Sequence, residues 1–146
     1  MSNIEEDKRL SVIYTVGSLA ERAGGTTRTV VSTCESVDRL GENVILVSTR
    51  AAPNEALLLP EGEEINVELV ESSPVLFQPC RFRHAIYRSV CSNKADVVHD
   101  QGIWLPTNRS SFQAARKADI PYVLTPHGML EPWAINHHAW KKNIVW

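Results

Sequence analysis

Three short runs hold most of the residues able to do chemistry in this chain. The first carries Gly17 and then the pair Gly24-Gly25. Glycines ahead of a helix let backbone N–H groups approach an anion, and the helix dipole adds about half a positive charge there. Phosphate or diphosphate suits such a loop; a flexible connector is the plain alternative. The second run, HDQGIWLPTN at 99–108, sets His99, Asp100 and Gln101 ahead of a glycine and Trp104. Asp100 and Gln101 can exchange hydrogen bonds with hydroxyls, and Trp104 can stack on the apolar C–H face of a pyranose. A satisfied polar turn with Trp104 in the core fits the same residues. The third run, TPHGMLEPW at 125–133, places His127 before a glycine and Glu131 downstream. Neutral imidazole bonds a hydroxyl, and its charged form bonds a phosphate. A structural histidine is again the alternative.

These runs need elements to bring them together, and the pattern supplies them. Apolar runs at 10–16 (LSVIYTV), 43–49 (NVILVST), 65–70 (INVELV), 96–99 (DVVH) and 122–125 (YVLT) read as five strands. Helical stretches alternate with them. One begins near Thr26 or Thr27 as cap, buries Val30, Cys34, Val37 and Leu40, and ends at Gly41. A second lies within 79–93 with Phe82, Ala85, Ile86 and Val90 inward, and a third spans 107–118 with Thr107 as cap. A last one starts at Pro132 and carries Trp140 and Ile144 on one face. The stretch 50–64 has two prolines and little periodicity, so it is a surface loop. Right-handed crossovers make this a doubly wound, Rossmann-like α/β fold, a three-layer α/β/α sandwich with strand order 3-2-1-4-5. The order reverses between strands one and four, and ligands of such sheets bind at the carboxyl ends beside that point. All three runs fall there.

Several function classes are disfavoured. Hydrophobic residues are 43% and charged residues 22% of 146, the balance of one ordinary globular domain over 1–146. A net charge of −2 gives no reason to expect nucleic acid as partner. No apolar run nears the roughly 20 residues of a membrane span. The polar start MSNIEEDKRL is no signal peptide, so the expected location is the cytoplasm. Arg81, Arg83, Arg88 and Lys94 give the second helix a basic face, either solvated or in peripheral contact with the inner face of a membrane. Cys34, Cys80 and Cys91 form no CxxC pair, and Cys34 reads as a small buried apolar residue. His137 and His138 would diverge by about 100° on a helix, and no HExxH occurs, so no metal is expected. The glycines match neither GxGxxG nor a P-loop. Strand two also ends in Thr49-Arg50 rather than an acidic ribose ligand, against a nicotinamide or flavin reading.

Taken together, GGT at 24–26, ADVVHDQGIWLPTN at 95–108 and IPYVLTPHGMLEPWAINHHAWKKNIVW at 120–146 resemble the N-terminal domain of family 4 glycosyltransferases. The match is densest over the last third of the chain and thinner over 17–50; 51–92 shows only the pattern of elements. The resemblance implies a GT-B enzyme of two facing Rossmann-like domains, retaining, using a nucleotide-sugar donor and no metal or other cofactor. It makes this chain the acceptor-side half, working on a glycan or lipid-linked acceptor. It sets Gly24 and Gly25, with Gly17 near, against the donor diphosphate, and gives His127 and Asp100 catalytic roles. His99, Gln101, Trp104 and Glu131 become acceptor- or sugar-binding residues. Gln101 departs from the family pattern, standing where many relatives have a histidine, and an amide takes no proton at neutral pH.

The donor-binding C-terminal domain of the family has no counterpart within residues 1–146. The expectation is a chain inactive alone, with a separate donor-side domain as partner. The alternative is a non-catalytic glycan- or partner-binding module of the same fold. Trp133, Trp140, Ile144 and Trp146 add an expectation of self-association through the last helix.

Overall fold

The computed structural model describes residues 9–62, 64–71 and 78–137. The run predicted as the first strand is β1 (Ser11–Val16), buried at every position. Such a strand must be covered on both faces and flanked on both sides. β2 (Asn43–Thr49) and β3 (Asn66–Val70) lie on one side; β4 (Val97–Gln101) and β5 (Tyr122–Thr125) lie on the other. All pairings are parallel and the order is β3-β2-β1-β4-β5, as the crossover rule requires.

Alternation along the strands divides the core into two layers. Val12, Tyr14, Val16, Val44 and Leu46 face α1 (Gly25–Arg39), packing on Val30, Val31 and Cys34. Ile13, Ile45, Val47 and Val98 face α2 (Gln78–Asn93) and α3 (Pro106–Ala118), packing on Phe82, Ile86, Val90, Ala114 and Ala115. Cys34 is buried as read, and burial pushes its thiol up to about 12. The arginines of α2 are exposed; Arg88 pairs with Glu68 and Arg83 donates to Gln113 Oε1 at 2.8 Å. Among the described residues no helix is long and apolar enough to cross a membrane.

Several local expectations are corrected. The cap of α1 is Gly24, not Thr26 or Thr27: its φ of +87° and ψ of −144° form a conformation open essentially to glycine alone. The Thr27 hydroxyl donates to the Ser18 carbonyl instead. Leu40, expected inward, is 77% exposed because α1 has already ended at Arg39. Gly41 does follow the cap residue with φ +85°. Thr107 does not cap α3: Pro106 opens that helix, and Asn108 Oδ1 accepts the Leu105 N–H at 2.8 Å. Residues 50–64 are more than a surface loop, since Leu57 bridges to Ala20 and Leu58 N–H donates to the Leu19 carbonyl at 2.8 Å. This strap holds the β1–α1 connection from outside. The expected face of Trp140 and Ile144 lies outside the described residues; what is described is α4 (Pro132–Asn136).

One polar cluster ties the layers together. Asp100 on β4 is 1% exposed and accepts four hydrogen bonds. They come from Thr15 of β1 (2.6 Å), its neighbour Gln101 N–H (3.0 Å), Asn108 of α3 (3.0 Å) and Tyr122 of β5 (2.8 Å). A hydrogen bond to a charged group is worth about 1.5–3 kcal/mol, and a carboxylate removed from water costs several when unpaired. Burial pushes the Asp100 carboxyl above its ordinary value, with the four donors pulling against it. Tyr122→Phe removes one donor and leaves Asp100 buried. It should lower unfolding free energy by about 1–2 kcal/mol, because Tyr122 is only half-buried. Asn108→Ala removes a donor and the helix cap together and should cost about 2–4 kcal/mol. Denaturant melts check both; changes under about 0.5 kcal/mol would show that the cluster carries little stability.

Candidate active site at the carboxyl end of the sheet

The carboxyl ends of β1 and β4 open into a pocket of about 320 Å³. It is lined by Val16, Gly17 and Ser18 from the end of β1, Ala23, Thr26 and Thr27 around the start of α1, Gln101, Leu105 and Met129. Each wall has a local cause. The absence of a side chain at Gly17 lets Leu105 lie directly over it: a β-carbon there would come 2.2 Å from Leu105 Cδ1. Gly24 turns the chain so that α1 starts toward the pocket, and Gly25 has open space around it.

The opposite wall is set by two left-handed residues in succession, His127 (φ +48°) and Gly128 (φ +75°). Histidine visits this region more readily than bulky residues, but it remains uncommon. The turn brings His127 Nε2 to 2.5 Å from Gln101 Oε1. Burial holds the His127 imidazole below its ordinary pKa. His99 sits half-buried beside Tyr14, its Nε2 2.7 Å from Thr125 Oγ1. Burial, and next the nearness of His127, lower its pKa, while Asp100 pulls the other way. Both histidines are thus set up as neutral hydrogen-bonding groups.

The predicted residues therefore divide. Gly17 and Gln101 line the pocket; Gly24 and Gly25 sit between its lining residues Ala23 and Thr26, and His127 meets it through Gln101. Asp100 is not brought to the pocket: β4 alternation turns its carboxylate to the α3 face, where four donors occupy it. Trp104 donates its indole N–H to the Met129 carbonyl at 3.1 Å, so its ring is pinned as a brace between the two loops. Glu131 is exposed and occupies the cap position of α4 without a side-chain cap bond. Ser18 and Leu105 were not singled out from sequence; Thr26 and Thr27 were read as helix caps, and Met129 only as part of the run 125–133. For Leu105 the signal was present, since a proline prefers the first helical position and the residue before Pro106 becomes the cap. Among the described residues no three His, Cys, Asp or Glu side chains gather as a metal would require. A larger hollow, about 460 Å³, lies at the far sheet edge between β3 and α2, away from all three runs.

A family model described as glycosyl transferase 4-like domain matches residues 24–146. A comparison with curated proteins gave no match. Among solved structures, sucrose-phosphate synthase from Thermosynechococcus elongatus superposes with a TM-score of 0.67 at 14% identity, over 82% of this chain and 33% of that one. A glycosyltransferase from Rickettsia africae gives 0.59 at 15%, over 84% and 32%. UDP-GlcNAc 2-epimerase from Methanocaldococcus jannaschii, in complex with UDP-GlcNAc and UDP, gives 0.59 at 16%, over 94% and 38%. At such identities these likenesses speak for the fold alone, and the chain spans about a third of each of these proteins. The family rests on the match over most of the chain: it belongs to the glycosyl transferase 4-like domains, as its resemblance to the N-terminal domain of family 4 glycosyltransferases implied.

Proposed function

We propose that this chain is the acceptor-side half of a retaining, nucleotide-sugar-dependent glycosyltransferase acting on a glycan or lipid-linked acceptor. The observation that most supports this is convergence: the glycine turn, the start of α1 and the His127–Gln101 pair meet at one pocket beside the switch point.

In this reading the donor diphosphate lies against Gly24 and Gly25. As the bond from the anomeric carbon to the leaving phosphate oxygen breaks, negative charge grows on that oxygen. The N–H groups at the start of α1 are fixed donors for it and need no reorganisation. Once protonated beside the bound anion, His127 donates from Nδ1 while Nε2–H stays on Gln101 Oε1, which orients the ring without exchanging protons. Asp100 is a positioning residue that sets β4 against β5 and α3. The acceptor hydroxyl attacks on the face the leaving group vacates and passes its proton to the departing phosphate oxygen. Most positive charge for a diphosphate would belong to a facing donor-side domain, so this half alone should bind donor weakly. A non-catalytic binding module remains the second outcome of the tests.

Amide shift mapping with UDP-glucose should give a Kd on the order of 1 mM, about −4 kcal/mol. The shifts should centre on Gly17, Gly24–Thr27 and His127; shifts absent there would refute the assignment. Gly25→Ala should leave stability unchanged or slightly raised, because the site is helical and open, yet weaken this binding by blocking close approach. The pH dependence has a definite sign. The free-state pKa of His127 lies below 6.5, and a bound anion raises it. The complex therefore takes up a proton between the two values, and affinity should rise as pH falls through the bound-state pKa and level off below the free-state one. A flat profile in wild type, or an equal rise in His127→Asn, would remove His127 from the site.

A further inference from the structure

Thr107 holds a buried side-chain oxygen without any hydrogen-bond partner among the described residues. The residue is 7% exposed. A desolvated hydroxyl left unpaired destabilises a fold, so it calls for a reason. The cap position read for it from sequence belongs to Leu105, whose N–H donates to Asn108 Oδ1. Its surroundings point to the pocket. A β-carbon added to Gly17 would come 3.9 Å from Thr107 Oγ1, so the hydroxyl faces the backbone of a pocket-lining glycine. Leu105 lies over the same glycine and also lines the pocket. Leu105 is 47% exposed, so the side chain that covers Thr107 lies at the surface.

Thr107 is also the second residue of α3, a helix of 13 residues. Its own N–H is among those at a helix start with no intrahelical acceptor, at the positive end of the dipole. Pro106 before it contributes no N–H. One residue thus offers two donors, O–H and N–H, behind Leu105 and Gly17, which line the pocket. A phosphate oxygen accepts from both.

We propose that Thr107 is a ligand-binding residue and that the start of α3 is a second phosphate-oxygen position in the pocket, reached when Leu105 rotates aside. This rests on reading the pocket as a nucleotide-sugar site, and it adds a contact that the glycine loop does not provide. The phosphate belongs either to the donor diphosphate or to a pyrophosphate-linked acceptor, and the tests separate the two.

Thr107→Val keeps the shape and removes the hydroxyl. Its unfolding midpoint should equal or exceed that of wild type, since an unpaired buried hydroxyl is lost. Its affinity for inorganic pyrophosphate, by calorimetry or by the shift of the Thr107 and Asn108 amides, should fall about tenfold or more. Thr107→Ser should restore binding, and Leu105→Ala should match or exceed wild type. Parallel titrations with UDP-glucose and geranyl pyrophosphate assign the source: the ligand whose affinity Thr107→Val weakens is the one held there. A lowered midpoint with unchanged affinity for all three probes would make the hydroxyl structural and overturn the proposal. Pyrophosphate shifting Thr107 while UDP-glucose leaves the glycine loop unmoved would sink the nucleotide-sugar reading and spare this one. UDP-glucose shifting the loop with Thr107→Val binding as wild type would do the reverse.

Discussion

A carboxylate shut away from water needs donors on every side, and Asp100 finds them on three elements besides its own neighbour. Thr15 belongs to β1, Asn108 to α3 and Tyr122 to β5, so one side chain fixes how the central strand, the edge strand and a covering helix meet. The geometry of the pocket follows. With β4 held against β1, Gly17 and Gln101 end side by side, in the register that pairs Val16 with Gln101. With Asn108 held from both ends, by Asp100 and by the Leu105 N–H, α3 starts at a fixed height and Leu105 comes over Gly17. A group that looked chemical in sequence is thus buried and held by four donors of the fold.

The same strand serves two purposes because of its alternation. Odd and even positions of β4 face opposite layers. Asp100 turns toward α3 and builds the frame, while His99 and Gln101 turn toward the α1 side. There Gln101 meets His127, whose left-handed backbone, continued by Gly128, folds the loop after β5 back over the strand ends. Replacing a histidine by Gln101 removes a titrating group but keeps an acceptor for the ring nitrogen of His127. The pair can hold a fixed orientation without a charge at neutral pH.

The fold was legible because its signals are physical and local. Continuous apolar runs mark strands covered on both faces, and handedness then leaves few orders for five parallel strands. Family membership was legible too, through the long run around His127. Side-chain direction was less so. Whether Asp100 points to a ligand or to a helix depends on where β4 ends, and that strand runs on to Gln101 rather than stopping at His99. The cap of α1 was missed because the chain turns at Gly24, with a φ of +87°, so the helix has already begun before Thr26 and Thr27. Leu57 and Leu58 lacked a repeating pattern, yet they strap the glycine turn through long-range backbone bonds that no local periodicity encodes.

In the proposed reading, most of the donor's charge is met from across the cleft, so the chain and a donor-side partner should work only as a pair. The most direct test is sugar transfer and nucleotide-sugar hydrolysis by the purified chain, alone and mixed with the donor-side domain of a related family 4 enzyme. The account predicts no turnover alone and turnover on mixing, abolished by Gly25→Ala with the fold intact. A folded chain that gives no turnover in either condition, across a panel of donors and acceptors, would contradict it and leave a binding module of the same fold.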